Sequence, residues 1–179
     1  MKKLIIVPLA ALLLLSGCGA DTAATKTGLG HVISIQKSAD ATAEKEGLAQ
    51  VDAVMAAATF DADGKIIAVE IDNAQVKVNF DESGIVTTDK TVAPQTKVEL
   101  GDKYGLIKAS KIGKEWYQQI DELEAWMIGK TVDEVKALKV KQVDDNHPSV
   151  PDVAELNSKV TITVQDYIAA VAEAYANAK

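Results

Sequence analysis

The sequence contains one cysteine, no arginine and few aromatic residues: two Trp, four Tyr and two Phe among 179 residues. A single cysteine excludes an intramolecular disulfide framework, so the fold must be stabilised by a packed core. Without arginine, a phosphorylated ligand would have to be held by lysines, hydroxyl groups and backbone N–H groups. The shortage of aromatic side chains limits how many rings could stack on a ligand.

Motifs for hydrolysis, metal binding and phosphate binding are also missing. The two histidines, His31 and His147, are far apart in the sequence, whereas a zinc site requires three or four ligands. Residues 61–64 (DADG) lack the further acids and the terminal glutamate of a calcium loop. No serine lies in a nucleophile elbow, and no glycine-rich phosphate loop is present. We therefore predict no catalytic residues and no metal site.

The charge of the chain is negative. The full sequence has a net charge of −7, and loss of Lys2 and Lys3 with a cleaved N-terminus would make it two units more negative. An acidic protein is repelled by nucleic acid and by anionic lipid surfaces. The balance of charge thus argues against nucleic acid as a partner.

The N-terminus has the pattern of a lipoprotein signal peptide. Residues 2–3 are lysines, residues 4–15 are almost wholly apolar, and small residues directly precede Cys18. The apolar run is shorter than the ~20 residues of a membrane-spanning helix, so it predicts export. We expect cleavage after a signal peptide of residues 1–17 and lipid on Cys18, whose two acyl chains would give stable attachment to a bilayer. The predicted location is the extracytoplasmic face of the cell membrane.

Composition divides the remaining chain into a tether and one domain. Residues 18–27 are small and polar, which is typical of a flexible linker behind a lipidated cysteine. Residues 28–179 are enough for one domain and too few for two domains of the usual size. The first part of this domain is rich in strand patterns, and the second part in helical patterns.

Strands are predicted over residues 28–38, 51–60, 66–72 and 76–80, because apolar residues alternate or run together there. An Asp-Gly pair within residues 61–65 lies between two apolar runs, which is the mark of a hairpin. The pattern predicts an antiparallel β-meander of three or four strands.

Helices are predicted over residues 108–128, where apolar residues recur at three- and four-residue steps, and over residues 131–138, which begin with a capping box. A weaker cap at Thr163 introduces a C-terminal amphipathic helix. Strands followed by helices predict an α+β fold with the helices packed on one face of the sheet.

Three segments of the domain carry a resemblance to a known protein family. A turn of the Asp-Gly-Lys-Ile type lies at residues 63–66, a helix with Trp and acids at 116–123, and a hydroxyl-rich motif at 155–161 leads into the last helix. In this order they resemble the FMN-binding domain of exported bacterial lipoproteins and of subunits of membrane electron-transport complexes. The resemblance spans most of residues 50–175. It implies FMN as a cofactor and membrane electron-transfer proteins as partners.

The resemblance also implies site residues. In that family a threonine carries FMN through a phosphoester installed by a flavin transferase. The motif places Thr161 on this acceptor, Ser158 on the preceding hydroxyl residue and Glu155 on the acid. Lys159 would neutralise phosphate, and Trp116 would stack on the isoalloxazine ring.

An alternative interpretation rests on a departure from the family motif. Lys159 and Val160 stand where the family has Gly and Ala, which allow the backbone to approach the flavin closely. This departure and the few aromatic residues favour a flavin-free surface lipoprotein that acts as a small-ligand or protein interaction module. In that interpretation residues 155–161 form only a strand edge. The third interpretation is an extracytoplasmic enzyme, but the sequence shows no nucleophile–base pair and no set of metal ligands that would support it.

Overall fold

A computed structural model of the chain describes residues 24–179. The predicted signal peptide, residues 1–17, and the predicted lipidation site, Cys18, lie outside this range. Strand β1 begins at Lys26, so the last two residues of the predicted tether belong to the sheet. None of the helices in residues 24–179 combines the length and the apolar character required to cross a bilayer.

Three long strands form one antiparallel sheet in the order β1-β2-β3. They are β1 (Lys26–Ser34), β2 (Gly47–Phe60) and β3 (Ile66–Phe80). The predicted break between strands at residues 66–72 and 76–80 is wrong. Asn73 and Ala74 continue the ladder opposite Val54 and Ala53, because pairing with β2 overrides their weak strand propensity.

The β2–β3 connection is the predicted Asp-Gly turn. The Asp61 carboxylate accepts backbone N–H groups from Asp63 at 2.9 Å and from Lys65 at 2.8 Å. Gly64 adopts a positive φ of 77°, which glycine tolerates without a steric penalty. These contacts fix the register of the two longest strands.

Helices and short turns follow the sheet. The helices are α1 (Lys97–Leu100), α2 (Trp116–Met127), α3 (Val132–Lys136) and α4 (Gln165–Asn177). Two 3₁₀ turns lie at Gly101–Tyr104 and Leu106–Lys108, and a small hairpin pairs β4 (Val140–Lys141) with β5 (Val150–Pro151). The domain is therefore α+β, as the sequence predicts.

Two predicted helix starts are wrong. The helix expected from residue 108 begins at Trp116, because Gly113 has a positive φ of 65° and the Gln118 side chain at N3 accepts the backbone N–H of Glu115 at 2.8 Å. Thr163 does not cap α4, since Val164 occupies the N-cap position and no side chain bonds the helix there. The predicted capping box at Thr131 is confirmed, with Glu134 at N3.

The core lies on one face of the sheet. The apolar stripe of α2 is buried as predicted, and α4 adds a second apolar face; the main buried side chains are Phe60, Ile66, Ile71, Trp116, Ile120, Leu123, Met127, Val171 and Ala174. Helix α4 packs closely on β1 because Gly28 and Gly30 have no side chains: an added Cβ would lie about 2 Å from backbone oxygens of α4. This close approach positions α4 along the edge of the sheet.

Candidate functional site

The core-facing side of the sheet changes from apolar to polar along the strands. The register aligns Gly30, Ala56 and Ile71 in one row, and further along it aligns Ser34, Asp52 and Gln75. Between them lies a row of two valines and Asn73. The apolar rows are covered by helices, whereas the polar rows line a cavity.

This cavity has a volume of about 480 Å³. Its floor is the polar part of the sheet, and its walls come from α1, the first 3₁₀ turn, the start of α2, the loop 145–148 and the segment 162–167. The volume falls within the range of roughly 300–1,000 Å³ that is usual for small-molecule sites. The sheet and several other segments of the chain thus line one concave space.

Three aromatic side chains line the cavity: Tyr104, Trp116 and Tyr167. The Trp116 indole N–H donates to the Tyr167 hydroxyl at 3.0 Å, and the two rings meet edge to face. Burial raises the pKa of Tyr167 to about 12, so its hydroxyl stays neutral. The Tyr104 hydroxyl donates to the Gln75 side-chain oxygen at 3.3 Å. These bonds hold the rings in fixed orientations.

Lys97 places a cation beside these rings. Only 7% of the residue is exposed, and its Nζ lies 4.9 Å from the Tyr104 ring centroid and 5.1 Å from the Trp116 ring centroid. Burial and, to a smaller extent, the nearby Lys37 lower the pKa of Lys97 to about 8. At neutral pH the group therefore remains mostly charged, and the ring faces supply part of its stabilisation.

Asp52 is the carboxylate on the cavity floor. It accepts hydrogen bonds from the side-chain amides of Gln50 and Gln75, both at 2.9 Å, and pairs with Lys37 at 2.9 Å. Burial opposes its charge, but the bonds from Lys37 and the two glutamines outweigh burial and lower the pKa of Asp52. Its charge is thus already satisfied within the protein.

Two buried oxygens on lining residues have no hydrogen-bond partner within residues 24–179. They are the Asn73 side-chain carbonyl and the Thr163 hydroxyl. Buried polar atoms are nearly always paired, so an unpaired atom needs an explanation. A ligand or water in the cavity would supply the missing partners.

The five predicted cofactor-binding residues do not converge. Trp116 lines the cavity, whereas Thr161, Lys159, Ser158 and Glu155 are not among its lining residues. Trp116 is also a core residue, with 2% of its surface exposed.

Thr161 is bound to a buried glutamine. Its backbone N–H donates to the Gln119 side-chain oxygen at 2.8 Å, and its hydroxyl lies 3.2 Å from the same oxygen. The chain enters the cavity directly after this point, through Ile162 and Thr163. The hydroxyl of the predicted flavin acceptor is therefore engaged in a contact with α2.

The rest of the predicted motif is surface structure. Lys159 pairs with Glu122 at 2.7 Å, and Lys114 pairs with the same carboxylate at 2.8 Å. Glu155 and Ser158 are exposed, and residues 154–159 form turns. The alternative expectation of a strand edge over 155–161 is therefore wrong, because turns at Leu156 and Lys159 bend the segment.

Most of the cavity residues were not predicted from the sequence. On the inner face of β2 and β3 the residues change from apolar to polar at Asp52 and Asn73, and this change was the available signal. Lys97 carried no signal, because it lies between the last predicted strand, which ends at residue 80, and the predicted helix that begins at residue 108. Within residues 24–179 no cluster of His, Cys, Asp or Glu could hold a metal ion.

Comparison with known proteins finds a partial similarity to a reductase. A chlorophenol reductase of Desulfitobacterium hafniense is 30% identical over 118 residues, which cover 60% of this chain and 36% of that protein. The chain thus spans about a third of the length of this curated relative. No protein-family profile matches the chain, and no solved structure is significantly similar to it.

Proposed function

We propose that this protein is a membrane-anchored, extracytoplasmic lipoprotein that binds FMN non-covalently in the cavity and takes part in electron transfer at the cell surface. The observation that carries the proposal is the cavity itself: three aromatic rings, a buried cation and two unpaired polar oxygens around about 480 Å³. Attachment to the bilayer would be through lipid on Cys18.

The residues present fit a flavin in their chemistry. Tyr104, which is half-buried, offers apolar ring surface, while Asn73, Gln75 and Thr163 offer hydrogen-bonding groups. A bound flavin would supply the redox chemistry, and the protein would supply position and environment. The relative is named a reductase of chlorophenol, which supports a redox role for the region it shares with this chain.

The contacts of Thr161 favour the non-covalent form of the proposal. A phosphoester on the Thr161 hydroxyl would have to break its contact with Gln119, which is fully buried. The charge of Lys159 is also already paired with Glu122. Lys97 provides an alternative cation, and it lies inside the cavity.

A second candidate is a flavin-free protein interaction module. The sheet face opposite the core exposes Leu29, Ile33 and Ile35, each with more than 60% of its surface accessible. Contiguous exposed apolar side chains often mark contact surfaces. This face supports an interaction role, with or without a flavin in the cavity.

The proposal is tested on full-length protein isolated from the membrane fraction of its host. Flavin is measured in two places: in the supernatant after denaturation, and by fluorescence of the protein band on a denaturing gel. We expect FMN in the supernatant and a dark band. A fluorescent band that disappears in Thr161→Ala would instead establish covalent attachment. Absence of flavin from both would leave the flavin-free module.

The same preparation tests the anchor. Cys18→Ala should not incorporate labelled fatty acid and should leave the membrane fraction, because the acyl chains provide the attachment. Unchanged labelling and fractionation of Cys18→Ala would contradict the lipoprotein assignment.

A further inference from the structure

The charged side chains that line the cavity differ in whether they have a partner of opposite charge. Asp52 has a lysine, Lys37, at 2.9 Å and two glutamine amides on its oxygens. Lys97 has no carboxylate oxygen within 4.0 Å and no hydrogen-bond acceptor within residues 24–179. Of the two lysines that line the cavity, Lys37 is therefore paired with a carboxylate and Lys97 is not.

The nearest alternative acids do not supply a partner. Asp72 raises the pKa of Lys97 from a distance, but its carboxylate accepts the backbone N–H groups of Asn73 at 2.7 Å and Val98 at 3.1 Å. Asp145 and Asp166 line the cavity as exposed residues, where solvent screens their charges. None of these groups neutralises the ammonium group directly.

A buried cation without an acceptor is costly to the folded state. The rings of Tyr104 and Trp116 offset part of this cost, but ring faces accept no conventional hydrogen bond from the ammonium group. The three N–H donors of Lys97 thus have no acceptor on the protein within residues 24–179. The side chain belongs to the cavity lining, so an acceptor can come from a molecule inside the cavity.

We infer that Lys97 is the binding site for the anionic group of a small organic ligand, whose planar body lies against the neighbouring aromatic wall. The ligand class is a phosphate, carboxylate or phenolate anion attached to a ring system. FMN is one member of this class. The inference rests on the proposed use of the cavity as the ligand site, but it does not require that the ligand be a flavin.

The environment of Lys97 agrees with this assignment. Its pKa is about 8 without ligand, with burial and the positive charges of Lys37 and Lys77 lowering it and Asp52 and Asp72 raising it. A bound anion favours the charged form and would raise the pKa. Ligand binding and protonation of Lys97 should therefore be coupled, and the affinity for an anion should fall as the pH rises above about 8.

The test compares FMN with riboflavin, which is the same flavin without the phosphate. Binding to purified full-length protein is measured by flavin fluorescence for wild type, Lys97→Met, Lys97→Arg and Lys103→Met. We expect Lys97→Met to weaken FMN binding roughly tenfold to hundredfold, because a hydrogen bond to a charged group is lost. Riboflavin binding by the same variant should stay within about twofold of the wild-type affinity. Lys97→Arg should retain most of the FMN affinity because it keeps the charge. Lys103 is exposed and lies outside the cavity, so Lys103→Met serves as the matched control.

Two results with flavins would overturn the inference. Equal weakening of FMN and riboflavin in Lys97→Met would make the side chain part of the cavity shape and not an anion site. Unchanged FMN binding in that variant would show that the phosphate binds elsewhere. Thermal unfolding of each variant, measured in parallel, separates loss of binding from loss of fold.

A second probe pair separates this inference from the flavin proposal. If the wild-type protein binds neither FMN nor riboflavin, the flavin proposal fails. Binding of 2-naphthoate is then compared with binding of the uncharged 2-naphthamide, with quenching of tryptophan fluorescence as the signal. Preference of wild type for the naphthoate, abolished in Lys97→Met, would support the anion site. Equal binding of the two compounds, or binding of neither, would overturn it.

Discussion

At the scale of single residues, Glu124 of α2 shows how burial and a backbone contact compete. Its carboxyl oxygen accepts the N–H of Ile71 on β3 at 2.6 Å and so ties the helix to the sheet. Burial, with smaller contributions from the nearby Glu70 and Asp121, raises the pKa of Glu124 to about 7 against the effect of this bond. The side chain is therefore largely protonated in mildly acidic solution.

Glu124→Gln should change how stability depends on pH. The folded pKa lies above the unfolded value of 4.5, so the folded state holds more protons between about pH 4.5 and 7. The stability contributed by the neutral carboxyl is complete below this window and is lost as the pH rises through it. Gln keeps an oxygen for the Ile71 N–H but never ionises. We expect the variant to match wild type near pH 4 and to be the more stable protein at pH 8.

Urea unfolding at several pH values measures this effect, and Glu122→Gln is the matched control. Hydrogen bonds from Lys114 and Lys159 lower the pKa of Glu122, so its contribution has the opposite sign and is lost as the pH falls. If Glu124→Gln were less stable than wild type at pH 8, the raised pKa would be contradicted.

The residues of the site were only partly predictable from sequence. Trp116 was identifiable because helical periodicity placed it on a buried stripe, and its role at the cavity wall follows from that position. Lys97 was not identifiable, since its burial depends on Tyr104 and Trp116 meeting it from other segments. Contacts between distant segments leave no local pattern in the sequence.

At the scale of elements, the fold was predictable where a local rule dominates. The Asp-Gly turn, the capping box at Thr131 and the α2 stripe follow from such rules. The break expected near Asn73 did not occur, because pairing with β2 overrides the weak strand propensity of Asn. The start of α2 was misplaced because periodicity alone does not reveal the left-handed conformation of Gly113.

The contact between α4 and β1 yields a prediction at this scale. A methyl group on Gly30 would lie 2.0 Å from the Ala170 carbonyl oxygen, so Gly30→Ala must push the helix away from the strand. We expect a loss of about 1–3 kcal/mol or more in unfolding free energy, as for other overpacked sites. Chemical denaturation measures the loss.

Leu29→Ala is the control for that variant. Leu29 is the neighbouring residue on the exposed side of the same strand, with 64% of its surface accessible. Its truncation should change stability by no more than about 0.5 kcal/mol. Equal effects of the two variants would show that α4 does not press on β1 as described.

At the scale of the whole molecule, one sheet separates two kinds of surface. Its inner face holds the core at one end and the cavity at the other, while its outer face exposes apolar side chains of β1. The edge of β1 is covered by α4, where Asn177 donates to the Leu29 carbonyl at 3.0 Å and Glu173 accepts the His31 N–H. Covering an edge in this way prevents unwanted strand pairing.

This arrangement gives the proposed function its physical basis. A rigid sheet and two helices hold Tyr104, Trp116 and Lys97 around a cavity, and the proposed anchor precedes β1 by only a few residues.

The most direct test of the central claim is an NMR titration of isotope-labelled protein with FMN, because it reports where the ligand binds. We expect saturable shifts concentrated at Asn73, Gln75, Thr163 and the indole N–H of Trp116, with smaller changes at Thr161. Shifts centred on Thr161 and Gln119, or on the exposed face around Leu29 and Ile33, would contradict the cavity as the flavin site. No shifts at saturating FMN would contradict flavin binding altogether.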